Sequence, residues 1–96
     1  MSSEILLELC EVVEERLREP RPGSYTSMLA AQGLNGIAKK LGEEWVELLL
    51  AASSGSTDDL INEAADVVYH MTVLLARRGV CWREVLTELE RRRRER

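Results

Sequence analysis

Apolar residues recur at intervals of three and four between the turn "SSGST" and Gly79, and an α-helix places such residues on one face. The residues of this face are Leu60, Ala64, Val67, Met71 and Leu74. Thr57 or Asp58 is the predicted N-cap of the helix. The pattern runs to Arg78, and Gly79 can adopt the left-handed conformation that ends helices.

Helical patterns also precede this segment. Ser2 or Ser3 is expected to cap a first helix that ends at "EPRPGS", because this stretch holds two prolines and a glycine. "SYTSMLAAQG" predicts one or two helical turns closed by Gly33. A longer helix is predicted to start with Asn35 as its cap and to run to about Ser53. Its apolar side consists of Leu34, Ile37, Leu41, Trp45, Leu48, Leu49 and Ala52.

A last helix is predicted from roughly Trp82 to Arg94. No segment shows the alternating pattern of a strand, and no linker divides the chain. With 96 residues, the chain is expected to form one domain over residues 1–96. Because connections this short favour antiparallel neighbours, the predicted fold is all-α, an antiparallel helical bundle.

The charge distribution limits the partners that the chain can bind. The formal net charge is −4, but the last six residues hold five Arg and one Glu. Residues 1–90 therefore carry 8 basic and 16 acidic groups, a net charge of −8. Because phosphate contacts need Lys and Arg, we do not expect nucleic-acid binding over a broad face. The Arg-rich end is interpreted as a solvated helix terminus, with local binding of RNA or of an acidic partner as the alternative.

Cysteine usage and hydropathy predict a soluble, reduced, cytoplasmic protein. Cys10 and Cys81 form neither a CxxC pair nor a zinc-binding spacing. Acids from Glu4 onward interrupt the N-terminus, so no signal peptide is expected. The chain contains no run of about 18 apolar residues that could span a membrane.

Two pairs of carboxylates border the apolar stripes of adjacent helices. Glu44 and Glu47 are three residues apart on one segment, and Glu63 and Asp66 on the next. Surface acids are usually solvated, and a single pair alone would be interpreted that way. The tight turn between the helices, however, lets each pair face the other. Four converging carboxylates would repel each other and lose hydration, which raises pKa values or recruits a cation.

The ligand chemistry indicates which cation. Oxygen-only ligation favours Mg²⁺ or Mn²⁺ over zinc or copper. A helical di-iron site would need Glu-x-x-His, and Val67 stands three residues before His70. Mg²⁺ held by carboxylates commonly takes phosphate oxygens as further ligands, so the pattern indicates phosphate-ester or phosphoanhydride chemistry.

Two lysines precede the acids by one helical turn. Lys39 and Lys40 point about 100° apart, so at most one is expected to face the site. Lys40 shares the acidic face and is the preferred phosphate-binding candidate. An ion pair with Glu44 or Glu43 is its equally plausible role.

Polar residues near the second helix are further candidates. Ser24, Tyr25 and Thr26 follow a glycine-containing loop, where backbone N–H groups and hydroxyls can bind phosphate or ribose. Helix capping is the alternative for Ser24, and a core position is the alternative for Tyr25. His70 either orients a ligand carboxylate, contacts substrate, or is a core histidine.

Three blocks, "SYTSML", "GLNGIAKKLGEEWVEL" and "EAADVVYHMTVLLARRGV", resemble the phosphoribosyl-ATP pyrophosphohydrolase family of histidine biosynthesis. The paired acids alone are similar to the wider MazG-like superfamily of all-α nucleotide pyrophosphohydrolases. The resemblance implies Mg²⁺-dependent hydrolysis of the α–β phosphate bond of phosphoribosyl-ATP, giving phosphoribosyl-AMP and pyrophosphate. It also implies an all-helical, intertwined homodimer.

The resemblance assigns roles to the acids. It implies that Glu43 orients or deprotonates the attacking water, and that four residues bind the metal: Glu44, Glu47, Glu63 and Asp66. The chain departs from the family pattern at Met28 and Gln32, where lysines are common, and at Trp45 and Cys81.

Two alternative functions and the oligomeric state complete the predictions. The chain could be a housecleaning pyrophosphohydrolase of nucleoside triphosphates, or a non-enzymatic helical interaction module. Apolar residues around much of one helix also predict a dimer, because one short bundle cannot cover them. These residues are Val46, Leu48, Leu49 and Leu50.

Overall fold

The computed structural model describes residues 4–95, which form five α-helices and no β-strand. In chain order these helices are α1 (Glu4–Arg18), α2 (Tyr25–Ala31), α3 (Gly33–Ser54), α4 (Thr57–Arg77) and α5 (Trp82–Glu95). The predicted all-α class is confirmed. The predicted caps Ser2 and Ser3 lie outside the described residues.

The start of α2 is stabilised by Ser24. Its backbone is extended, with φ −82° and ψ 124°, and its side-chain oxygen accepts a hydrogen bond from the backbone N–H of Ser27 at 3.2 Å. This is the N-capping geometry that satisfies an otherwise unpaired donor of the first helical turn. The capping role considered for Ser24 is therefore present in the fold.

The junction between α2 and α3 differs from the prediction. Gly33 adopts φ +79° and is the first residue of α3, so the chain turns directly from one helix into the next. Asn35 consequently lies inside α3, and its prediction as N-cap was wrong. Gln32 holds the N-cap position without a side-chain hydrogen bond. Glycine tolerates this left-handed backbone, which explains why the turn needs no longer loop.

The turn between α3 and α4 is closed by a capping box. The Ser56 side chain accepts from the Asp59 N–H at 3.1 Å, and the Asp59 carboxylate accepts from the Ser56 N–H at 3.2 Å. Ser56 is therefore the N-cap, and the prediction of Thr57 or Asp58 as the cap was wrong, because both residues lie in the first turn of α4. At the other end, Gly79 has φ +76°, as the sequence predicted for a helix stop.

The core consists of two clusters that share α1 and α4. The first contains four buried residues, Val13, Leu29, Ile37 and Val73. The second contains Cys10, Cys81 and Trp82, with α1 and α5 meeting there. The Trp82 indole donates to Thr72 Oγ1 at 2.7 Å, and its backbone N–H donates to Cys10 Sγ at 3.1 Å. Trp82 is therefore a packing residue.

Helix α3 packs most extensively against α4 and buries only part of its predicted apolar side. Ile37 and Leu41 are buried, whereas Trp45 is 44% and Leu49 63% exposed. Val46, Leu49 and Leu50 continue this exposed strip along the helix. An apolar band on α3 therefore remains uncovered by the described part of the chain.

Three arginines near the end of α5, Arg91, Arg92 and Arg93, are paired within their own helix. Arg91 and Arg92 donate to the Glu88 carboxylate, and these hydrogen bonds lower the pKa of Glu88 to about 2. Arg93 pairs with Glu90. This pattern agrees with a solvated helix terminus. Among the helices of residues 4–95, none combines the length and the apolar content needed to cross a bilayer.

Candidate active site

Three carboxylates converge where α3 and α4 pack together. Glu44 of α3 and Glu63 and Asp66 of α4 each offer one oxygen, and these oxygens lie within 4.8 Å of one another. The three-residue spacing of Glu63 and Asp66 places both on the face of α4 that meets α3. Glu44 is only 6% exposed, Glu63 is half-buried and Asp66 is exposed. The cluster therefore extends from the buried interface to the surface.

Glu47 lies beside this cluster, one helical turn after Glu44. Among the described residues it is not part of the group of three. A side-chain hydrogen bond with Glu44 and the negative charges of Glu44 and Glu63 raise the pKa of Glu47. A cavity of about 320 Å³ continues from Glu47 and Glu63 to the α3–α4 turn at Gly55. The structure thus brings three predicted metal ligands together and places the fourth at their edge.

Lys40 forms the basic part of the site. Its Nζ lies 3.5 Å from Glu44 Oε2 and 3.9 Å from Glu43 Oε1, so the ion pairs considered for Lys40 are both present. The negative charge of Glu44 is the main cause that raises the pKa of Lys40, and the nearby Tyr25 adds to this effect. Lys39 is exposed. The structure therefore places Lys40, together with Tyr25, next to the carboxylate cluster.

His70 connects the cluster to Tyr25. Its ring is only 5% exposed, with Nδ1 2.7 Å from the Asp66 carbonyl oxygen and Nε2 3.0 Å from the Tyr25 hydroxyl. Tyr69 packs edge-on against the His70 ring. His70 is therefore a buried histidine with both ring nitrogens hydrogen-bonded, and its Nδ1 partner is the backbone of a candidate ligand, not a carboxylate.

The other hydroxyls of "SYT" have internal partners. Thr26 is buried, and its Oγ1 is hydrogen-bonded to the Tyr69 hydroxyl. Burial raises the pKa of Tyr69. Ser24 caps α2, whereas Tyr25 is exposed. Sequence reasoning missed the link between Thr26 and Tyr69; the only signal for it was that the "SYT" and "YH" blocks both carry polar aromatic residues.

The donor set fits a hard divalent cation. Three carboxylate oxygens within 4.8 Å match the ligand chemistry of Mg²⁺ or Mn²⁺. Burial of Glu44 adds to the cost of leaving these charges without compensation. Exposure of Asp66 leaves one side of the cluster open to water or to a phosphate oxygen.

Comparison with known proteins identifies the family of the chain. The family model described as phosphoribosyl-ATP pyrophosphohydrolase matches residues 6–93. A phosphoribosyl-ATP pyrophosphatase of Ignicoccus hospitalis is 52% identical over 92 residues, which cover 96% of this chain and 90% of that protein. One of Pyrobaculum calidifontis is 47% identical over 92 residues, covering 96% of this chain and 98% of that protein.

A fusion protein also matches. The histidine biosynthesis bifunctional protein HisIE of Prochlorococcus marinus is 44% identical over 91 residues, which cover 95% of this chain but 41% of that protein. The matched regions include α2, α3 and α4, the helices that carry the acids, the lysine and the Tyr25–His70 pair. On these grounds, the chain belongs to the phosphoribosyl-ATP pyrophosphohydrolase family.

Proposed function

We propose that this protein hydrolyses phosphoribosyl-ATP to phosphoribosyl-AMP and pyrophosphate in histidine biosynthesis. The observation that supports this most directly is the convergence of Glu44, Glu63 and Asp66 beside Lys40 and Tyr25, in a member of this family. An acidic cluster next to a lysine provides for both a divalent cation and a phosphate group.

Glu44, Glu63 and Asp66 would hold Mg²⁺, with Glu47 as the fourth ligand and Mn²⁺ as a possible substitute. When bound, the ion neutralises charge that develops on the phosphoryl oxygens. Glu43 is exposed at the flank of the site, where Lys40 holds its carboxylate. From this position Glu43 would orient or deprotonate the attacking water.

The proposed substrate contacts are those predicted from the sequence: Lys40, Lys39, Ser24, Tyr25, Thr26 and His70. Lys40 and Tyr25 are the best supported, because one is half-exposed beside Glu44 and the other is exposed on α2. Ser24, Thr26 and His70 each commit a side-chain atom to an internal hydrogen bond. These three residues would therefore contribute more by holding neighbouring groups in position than by contacting the substrate.

We further propose an intertwined homodimer that completes the helical bundle. A second copy would cover the apolar band on α3, where Trp45, Leu49 and Leu50 are exposed. Leu49→Glu would place a charge in this interface. Light scattering should find a dimer for the wild-type chain and a monomer for Leu49→Glu; a monodisperse wild-type monomer would contradict the proposal. We also propose that residues 1–96 form a single catalytic domain and that the protein is cytoplasmic.

Pyrophosphate release from phosphoribosyl-ATP with Mg²⁺ tests the activity directly. Asp66→Asn should reduce the rate at least 100-fold, on the order of the loss from removing one transition-state contact. Glu11→Gln, which removes an exposed carboxylate on α1, is the matched control and should retain activity. If the wild-type chain releases no pyrophosphate, or Asp66→Asn is fully active, the proposal fails. Faster turnover of ordinary nucleoside triphosphates would instead favour the housecleaning alternative.

A further inference from the structure

Hydrogen-bond geometry determines which atom of the Tyr25–His70 pair carries each proton. The Asp66 carbonyl oxygen can only accept a hydrogen bond, so His70 Nδ1, at 2.7 Å, must carry a proton. In the neutral imidazole, Nε2 is then an acceptor. The Tyr25 hydroxyl, 3.0 Å from Nε2, must therefore donate its only proton to His70.

The direction of this hydrogen bond limits what the Tyr25 hydroxyl can bind. With its proton directed at His70, the Tyr25 oxygen offers the substrate only lone pairs. Phosphate oxygens are also acceptors, so a direct contact between them and this oxygen would bring two lone pairs together. Sugar hydroxyls, in contrast, can donate. In a nucleotide the ribose is joined directly to the α-phosphate, and Tyr25 lies in the electrostatic field of Lys40 beside the acidic cluster.

We propose that Tyr25 accepts a hydrogen bond from a ribose hydroxyl of the substrate, and that His70 is the positioning residue that gives the Tyr25 hydroxyl this polarity. Lys40, which carries a positive charge, is then the phosphate contact. The inference rests on the proposed function for the substrate, whereas the proton arrangement rests on the hydrogen bonds alone.

The proton arrangement can be observed without activity, because His70 is the only histidine of the chain. Nitrogen-15 NMR of the wild-type protein, at a pH where the imidazole is neutral, should show Nδ1 protonated and Nε2 unprotonated. The preference should disappear in denaturant, where the Asp66 carbonyl is no longer aligned. A protonated Nε2 in the folded protein would overturn the inference, whether or not the enzyme is active.

Kinetics then separate a ribose contact from a phosphate contact. Tyr25→Phe should raise KM for phosphoribosyl-ATP about three- to tenfold, the range for one neutral hydrogen bond. It should leave kcat and competitive inhibition by pyrophosphate unchanged within about twofold, since pyrophosphate has no ribose. Equal weakening of substrate and pyrophosphate would show that Tyr25 contacts phosphate, and an unchanged KM would show that it contacts neither. Both results would overturn the proposal while the activity remained established.

The role of His70 is tested by two amide variants. His70→Asn retains a donor near the position of Nδ1 but removes the acceptor for Tyr25, whereas His70→Gln can place an oxygen near the position of Nε2. His70→Asn should raise KM as Tyr25→Phe does, His70→Gln should restore much of the loss, and the Tyr25→Phe/His70→Asn double variant should be no worse than either single variant. Multiplicative losses in the double variant would contradict the coupling.

Tyr69→Phe is the control for loss of a hydroxyl in the same aromatic cluster. The Tyr69 hydroxyl pairs with Thr26, not with His70, so KM should stay within about twofold of wild type. A rise equal to that of Tyr25→Phe would mean that the cluster acts only through packing, and would overturn the specific role of Tyr25.

Discussion

Replacing Glu63 by Gln is expected to stabilise the metal-free protein. One Glu63 oxygen lies within 4.8 Å of oxygens from both Glu44 and Asp66. At this separation, two unit charges repel by about 0.9 kcal/mol at a dielectric constant of about 80, and by about 3.5 kcal/mol at about 20. Because Asp66 is exposed and Glu63 half-buried, the lower value applies. Removing two such repulsions should raise the free energy of unfolding by about 2 kcal/mol.

The same substitution is expected to remove most of the response to Mg²⁺. Binding to the folded state alone stabilises a protein by about 2.7 kcal/mol at a ligand concentration of about 100 times Kd. Wild-type protein should show this gain, because three carboxylates offer oxygens to one ion. Glutamine offers a neutral oxygen in place of a charged one, so Glu63→Gln should gain little. The two effects of one substitution therefore have opposite signs.

Thermal unfolding with a chelator and with excess Mg²⁺ measures both effects, at one fixed protein concentration. For a domain of this size, 1 kcal/mol corresponds to a shift in Tm of about 4–8 °C. Glu11→Gln is the control, and it should change neither the metal-free Tm nor the Mg²⁺ response. A lower Tm for Glu63→Gln in chelator, or the absence of a wild-type gain with Mg²⁺, would refute the converging cluster.

Three further predictions concern stability. Ile37→Ala should lower the free energy of unfolding by about 2–5 kcal/mol, against about 0.5–1.5 for Ile37→Val, because Ile37 is fully buried; urea unfolding measures both. Gly79→Ala should lower the free energy of unfolding by about 1–2 kcal/mol, because Gly79 has a positive φ. Gly42→Ala within α3 should raise it by about 0.5–1 kcal/mol, because Gly42 lies in ordinary helix. Equal effects of the two variants in urea unfolding would contradict this reasoning. Hydrogen bonds from arginines of α5 lower the pKa of Glu88 to about 2. The difference in free energy of unfolding between wild type and Glu88→Gln should therefore be full above about pH 4.5 and should vanish as the pH falls towards 2. A difference that persists near pH 2 would contradict the pairing.

Helix positions could be predicted from the sequence better than helix caps. Apolar periodicity and breakers located all five helices, because both act locally. Caps depend on which of several adjacent polar residues adopts an extended backbone. Ser56, Thr57, Asp58 and Asp59 are all good capping types, and only the reciprocal bonds of Ser56 and Asp59 select the first of them. Asn35 failed as a cap because Gly33 had already made the turn.

The candidate site likewise has features that could be predicted from the sequence and features that could not. The spacing of Glu63 and Asp66 and the short turn before α4 sufficed to predict that acids of two helices face each other. Contacts between residues distant in sequence, such as Tyr25 with His70, depend on how α2 packs across α4, and no local pattern encodes that packing. The ambiguous roles of His70 were therefore resolved only by its two partners.

Asp66 and Lys40 join the separate parts of the site into one unit. The Asp66 side chain belongs to the acidic cluster, while its backbone carbonyl accepts from His70, which in turn binds Tyr25. Lys40 pairs with Glu44 of the same cluster and also lies in the field of Tyr25. A shift of α2 would therefore alter the Tyr25 hydroxyl, the His70 ring and the backbone at Asp66 together. This connection gives a physical reason why "SYT", "KKLGEE" and "YH" occur together in one small chain although they lie on three different helices.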